Sequence, residues 1–563
     1  MAQGACPALP AALNLRREPS RFGVSVMDRR LASLISLGLP CALLAGCHGG
    51  GGSNATTPTV TGAASSSTDV VTYKNDVART GQNLNETVLT PANVNSSTFG
   101  LLRTFDVDGK VDAQPLYLSG LTISGAAHNV LFVGTEHDTV YAFDTDSGMM
   151  LWSKSLLGAG ETTSDNHGCG QITPEIGITS TPVIDRAVGA LYVVGMSEDT
   201  SSAYHQRLHA LDLATGAELF NGPAEIHAGY PTASGSTSFD PGQYAERAAL
   251  LLANGTVYTT WTSHCDQTPY SGWIIGYDQT TLARSTVLNV APNSIMGPSV
   301  WMSGGGPAAD AAGNIYLLTA NGAFETTLDA NGFPNQGDYG NSFLKLATVN
   351  GSLAVADYFT MSNEILESNA DQDLGSGGAM LLPNLTDANG MTRHLVVGAG
   401  KDGNIYVVDR DSMGHFDQSA NNIWQQLTGA LPGGIWSTPA YFNGTVYYGN
   451  VNATLKAFHI ANAKLSSSPT SQTGTTFPYP GTAPAVSANG TANGIVWAAE
   501  NSNPAVLHAY DATDLANELY NSNQAGNGRD HFGVGNKFIT PTIAGGKVFV
   551  GTTSGVAEFG LLP

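Results

Sequence analysis

The chain has 563 residues, of which only 12% are charged, and it carries a formal net charge of −22. Its 67 glycines, with frequent Val, Thr and Tyr, favour strands and turns over helices. The acidic balance argues against a nucleic acid as partner, because a phosphate backbone would be repelled.

The N-terminal stretch "MDRRLASLISLGLPCALLAGC" has a basic start, a short apolar core and then Leu44-Ala45-Gly46-Cys47. It resembles a bacterial lipoprotein signal, with cleavage before Cys47 and lipid on its sulfur. Residues 1–47 thus read as a signal region, and Met27 reads as its true start. The apolar run is too short, and too broken by Pro40, for a transmembrane anchor. Lipid on Cys47 tethers a soluble body to the membrane and makes no span. His48 after the cysteine points to the outer membrane, facing the periplasm. Residues 48–70, rich in Gly, Ser and Thr, read as a flexible tether. Residues 1–47 hold five Arg, one Asp and one Glu, so the remaining chain has 18 basic and 43 acidic side chains and a formal charge of −25.

From residue 71 to 563 one pattern recurs: entry strand, turn, strand, turn, and a strand ending near an Asp and a Gly. "NVLFVGTEHDTVYAFDTDSGMMLW" is its clearest form, and "STPVIDRAVGALYVVGMSEDTSSAYHQRLHALDLATGAELF" repeats it with a longer middle loop. Further units start near "ALLLANG", "VWMSGGG", "LVVGAGKDGNIYVVDR", "STPAYFNG", "APAVSANG" and "ITPTIAGG". Each unit is a small antiparallel sheet that cannot bury both faces alone, and a closed ring covers them. The fold class is all-β: a β-propeller of eight four-stranded blades, with seven as the alternative. The last unit lacks its outer strand, and "LLRTFDV" near the start is expected to supply it and remove an open edge.

Propeller topology sorts the loops. Connections between second and third strands share one face with the links between blades, here called the upper face. Glu136, His137, Asp138, Glu198, Asn321, Asp338, Lys401 and Glu500 fall in such connections. Trp301 and Trp436 fall where an inner strand begins. Any ligand funnel is therefore expected on the upper face.

The repeats resemble the quinoprotein alcohol dehydrogenase-like superfamily over about residues 70–563, "YAFDTDSGMMLW" being similar to its tryptophan-docking repeat. Such repeats also serve in non-enzymatic scaffold lipoproteins. "SVWMSGGGPAADAAGNIYLLTANG" resembles the stretch in which a tryptophan stacks on pyrroloquinoline quinone and an asparagine ligates calcium. Trp301 and Asn321 take those places. "GAGKDGNIYVVDRDSMG" resembles the stretch whose basic residue contacts the quinone carbonyls, and Lys401 takes that place. "GDYGNSFLKL" resembles the region of the catalytic aspartate, giving Asp338, with Asn341 competing for the position. Glu198 takes the place of the calcium-binding glutamate. The resemblance implies oxidation of an alcohol or sugar by hydride transfer to the quinone, with an external electron acceptor. The adjacent cysteine pair of many of these enzymes is absent, as are a C-x-x-C-H haem motif and a counterpart of the cofactor-binding arginine.

The residue types suit that chemistry. Indole gives a planar quinone an apolar floor. Calcium needs several oxygen ligands. A cation near the quinone carbonyl favours hydride acceptance, and a carboxylate takes the alcohol proton. Simpler roles stay open: packing for Trp301, turn duty for Asn321 and Lys401, solvated loop carboxylates for Asp338 and Glu198. A non-catalytic propeller binding a protein or polysaccharide is the alternative. Cys169 and Cys265 fall on one face of adjacent blades, so a disulfide is expected in an oxidising periplasm. Free thiols, or a metal site with His167 and His264, are the alternatives.

Overall fold

The computed structural model describes residues 68–563. The signal region, Met27, Cys47 and most of the tether lie outside the described residues. The rest is an eight-bladed β-propeller. Blade 1 is made of Leu116–Ile123, Ala126–Gly134, Thr139–Asp144 and Met150–Ser155, in that order from the axis outward. Blades 2 to 7 repeat the order over residues 183–225, 251–289, 308–360, 380–427, 440–477 and 485–521. Blade 8 takes three strands from the C-terminus, and Phe99–Asp106 pairs antiparallel with Gly555–Leu561 as the fourth. This is the expected closure. Phe99 seals it by packing on Trp497, Tyr520 and Phe559, with ring centroids 5.4, 5.0 and 6.2 Å away.

The Asp-Gly signature of the repeat has a local cause. In blade 1, Asp144 Oδ1 accepts the N–H groups of Asp146 and Ser147, and Gly148 follows at φ +79°. Asp212 and Asp278 cap the equivalent turns of blades 2 and 3 in the same way. Neighbouring blades then lock: the Trp152 indole N–H donates to Leu213 O at 3.1 Å, and its ring lies over Gly216, where a Cβ would come within 2.7 Å.

A proline stands directly before the inner strand in six blades: Pro115, Pro182, Pro307, Pro439, Pro484 and Pro541. The inner strand is a blade's free edge, so a missing N–H costs no ladder bond there. That edge still leaves other N–H and C=O groups facing the axis, and residues 70–83 pair with groups of both kinds. The segment is a plug in the channel. Val70 pairs with Tyr117, and the carbonyls of Val71, Val77, Ala78, Thr80 and Gly81 accept N–H groups from blades 2, 4, 5, 6 and 7. Arg79 reaches Leu250 O in blade 3, and Asn83 reaches Ile543 O in blade 8. All eight blades are therefore tied to one short stretch. Two fully buried cations sit in it, Lys74 on the carbonyls of Pro439 and Pro484, and Arg79 on those of Pro307 and Leu250.

Candidate functional site

With its lower half plugged, the channel opens on the upper face as a funnel of about 480 Å³. Trp301, Trp436, Tyr479, Lys401, Asp371 and Asp373 are among its walls. A smaller chamber of about 60 Å³ adjoins it, shares Trp301 and Tyr479, and adds Arg247, Lys537, His264 and Cys169.

Trp301 enters the funnel from a single tight turn, Met302–Gly304, in which Gly304 has φ +91°. A Cβ on Gly304 would meet the Arg247 guanidinium at 2.7 Å, so this glycine makes room for the cation behind Trp301. The indole packs edge-on against Phe538, with centroids 5.6 Å apart. Arg247 lies 5.1 Å above the same Phe538 ring, and its Nη2 is buried without a hydrogen-bond partner. Lys537 donates to Gln171 O at 2.8 Å.

Lys401 is not a free turn residue. Its ammonium lies 3.0 Å from Asp371 and 2.6 Å from Asp373. Burial works against its charge, but Asp373 and Asp371 outweigh it and hold the pKa above the usual lysine value. Asp373 is itself pushed up by burial, which Lys401 only partly offsets. Asn321 joins the group, donating its backbone N–H to Asp373 at 2.7 Å and its amide to Asp371 at 3.2 Å. Trp301, Asn321 and Lys401 thus come together at the funnel, from three stretches that the sequence singled out.

Asp338 does not join them. It lies in the long connection of blade 4, accepts the Asn293 N–H at 3.3 Å and is not among the funnel walls. Asn341 is closer: fully buried, it accepts the Leu374 N–H at 2.8 Å and so holds the Asp373 loop. Glu198 ends the second strand of blade 2, paired with Tyr204 and Thr162, a different blade from Asn321. Calcium does not fit this donor set. The Lys401 ammonium occupies the space between the two funnel carboxylates, and no group of three His, Cys, Asp or Glu side chains is placed for a metal ion among the described residues.

Cys169 and Cys265 form a disulfide, with Cα atoms 5.7 Å apart. His167 and His264 stack beside it at 4.1 Å. Burial, and then His167, hold His264 down to about 4, so it stays neutral at neutral pH.

Sequence reasoning missed Arg247, Asp371, Asp373 and Lys537. The repeat itself carried a signal for the first. Arg247, Trp436 and Phe538 each stand four residues before an inner strand, so one slot of the repeat lines the funnel and its adjoining chamber. Asp371 and Asp373 follow the short helix Glu364–Asn369 in a blade link and had no such register.

Glu246, next to Arg247, gives a test of this buried wall. It accepts the Ser180 hydroxyl at 2.8 Å, and burial raises its pKa from 4.5 to about 8. The folded protein then holds a proton that the unfolded chain has lost, so stability falls as pH rises from about 4.5 to 8. Glu246→Gln is expected to flatten that fall, leaving stability at pH 4 unchanged and raising it above pH 8. Urea unfolding at both pH values checks this, and equal slopes for the two proteins would contradict it.

Residues 78–260 match the family described as outer membrane protein assembly factor BamB. No curated protein matches the sequence. The fold is similar to that of the quinohemoprotein alcohol dehydrogenase from Comamonas testosteroni, with a TM-score of 0.58 and 15% identity over 88% of this chain and 80% of that one. It is also similar to a europium-containing methanol dehydrogenase, with a TM-score of 0.60 and 13% identity over 88% of this chain and 98% of that one. At such identities the likeness is one of fold. The chain is an eight-bladed β-propeller, and the repeat-family match within it covers residues 78–260. It shares that propeller fold with those two dehydrogenases.

Proposed function

We propose that the funnel binds a planar, carboxylate-bearing quinone of the pyrroloquinoline quinone type and that the protein oxidises an alcohol or sugar there, passing the electrons to an external acceptor. The observation that carries this reading is one cavity system holding the Trp301 ring, the paired Lys401 ammonium and the partnerless Arg247 nitrogen. An aromatic floor suits a flat ring, and buried cations suit its carboxylates. When bound, the quinone supplies a carbonyl carbon that accepts hydride. Trp301 orients the ring, and Arg247 with Lys537 anchors its acid groups at the small chamber. Lys401, kept charged by its two aspartates, would set a positive charge beside the bound quinone's carbonyls. Asp373, with its raised pKa, takes the role of proton acceptor that the sequence had given to Asp338. No step is assigned to calcium. The same reading puts the protein in the cell envelope, lipid-anchored through Cys47 at the outer membrane and facing the periplasm.

The second reading is a scaffold that binds a protein or a polysaccharide. The match of residues 78–260 to an assembly-factor family favours it. Calorimetric titration with pyrroloquinoline quinone separates the two. The wild type is expected to bind, and Trp301→Ala and Lys401→Ala are each expected to weaken binding about tenfold or more without unfolding the protein. No binding by folded wild type would make the scaffold the better reading. Binding unchanged in both variants would move the site elsewhere.

A further inference from the structure

The funnel wall also carries two rings to which the quinone reading gives no role. Trp436 and Tyr479 meet at 5.8 Å with their planes 72° apart, forming an aromatic corner. Tyr479 is 48% exposed. An open ring set beside a second one at a concave site offers an apolar stacking surface. The polar side chains of the wall are mostly carboxylates, amides and hydroxyls, including Asp371, Asp266, Gln372 and Ser263. The one lysine among them, Lys401, is already engaged by two aspartates.

A neutral sugar ring matches this wall. Its two C–H faces are apolar and stack on aromatic rings, while its belt of hydroxyls offers both donors and acceptors to carboxylates and amides. A phosphorylated or acidic sugar does not match, because three wall carboxylates outnumber the one, already neutralised, cation. A small aliphatic alcohol does not match either. It would leave both aromatic faces largely uncovered.

We propose that this wall of the funnel is a saccharide subsite: a neutral sugar ring stacks in the corner of Trp436 and Tyr479, with its hydroxyls on Asp371 and Gln372. This deepens the oxidation reading by naming its substrate class. It rests on that reading for the reaction but not for the binding.

The test is therefore binding without quinone. The protein would be titrated with gluco-, galacto-, manno- and xylo-oligosaccharides, glucose 6-phosphate and 1-butanol, followed by tryptophan fluorescence and calorimetry. At least one neutral saccharide is expected to bind with a Kd of about 1 mM or tighter, and glucose 6-phosphate at least about tenfold more weakly. Trp436→Ala and Tyr479→Ala should each weaken saccharide binding about tenfold, and Tyr479→Phe should retain it. Near-ultraviolet circular dichroism would verify that the variants are folded. No saccharide binding by folded wild type, or binding unchanged in both alanine variants, would overturn the subsite. Saccharide binding without quinone binding would refute the oxidation reading and leave the subsite standing. Quinone-dependent oxidation of 1-butanol without saccharide binding would do the reverse.

Discussion

Arg79→Ala is expected to destabilise the propeller by about 3–5 kcal/mol, more than any funnel substitution. The guanidinium donates to Pro307 O at 2.9 Å, Tyr73 O at 2.9 Å, Leu250 O at 3.0 Å and the Thr72 hydroxyl at 2.7 Å. Alanine would leave several of these acceptors buried and unpaired, at about 1–3 kcal/mol each. It would also remove the plug's tie to blade 3 and one of its two ties to blade 4, where the Ala309 N–H still reaches Val77 O. Arg79→Lys keeps the charge but has no planar fork to bridge two blades, so only partial recovery is expected. Urea unfolding followed by tryptophan fluorescence measures both. A loss under about 1 kcal/mol for the alanine variant would mean that the ring closes without the plug.

Cys169→Ser is expected to cost about 2–5 kcal/mol under non-reducing conditions. The disulfide spans 96 residues of sequence, so it removes a large loop-closure entropy from the unfolded chain. It also fastens the loop before blade 2 to a connection of blade 3, next to the small chamber that Cys169 lines. Wild type treated with a thiol reductant should match the variant in unfolding midpoint. A midpoint that neither change moves would show that packing alone holds the two loops.

The structure also changes what the chosen site residues do. Lys401 stood out in the sequence as a cation in an otherwise ordinary hairpin, and it does reach the funnel. Its charge is set by Asp371 and Asp373, residues in a blade link with no repeat register, so a reading by repeats passed over them. Asp338 shared a connection type with Lys401, yet its loop holds it on the Asn293 N–H and not in the funnel wall. Topology assigns a loop to a face but does not set the direction in which a long loop folds.

What the sequence determined by itself was local and periodic. Alternating apolar runs, Asp-capped turns and the repeat count gave the eight blades, because each strand pairs with its sequence neighbour and each turn is capped from within. The missing outer strand also made the closure by Phe99–Asp106 readable, since an open edge needs a partner. Only the tertiary structure decided how the channel is filled and which charges meet. Lys74 finds Pro484 across 410 residues, and Arg79 finds Pro307 across 228. Such pairs leave no spacing to read. They exist because ring closure turns eight free inner edges toward one axis, and the buried carbonyls there must be paired by whatever segment enters.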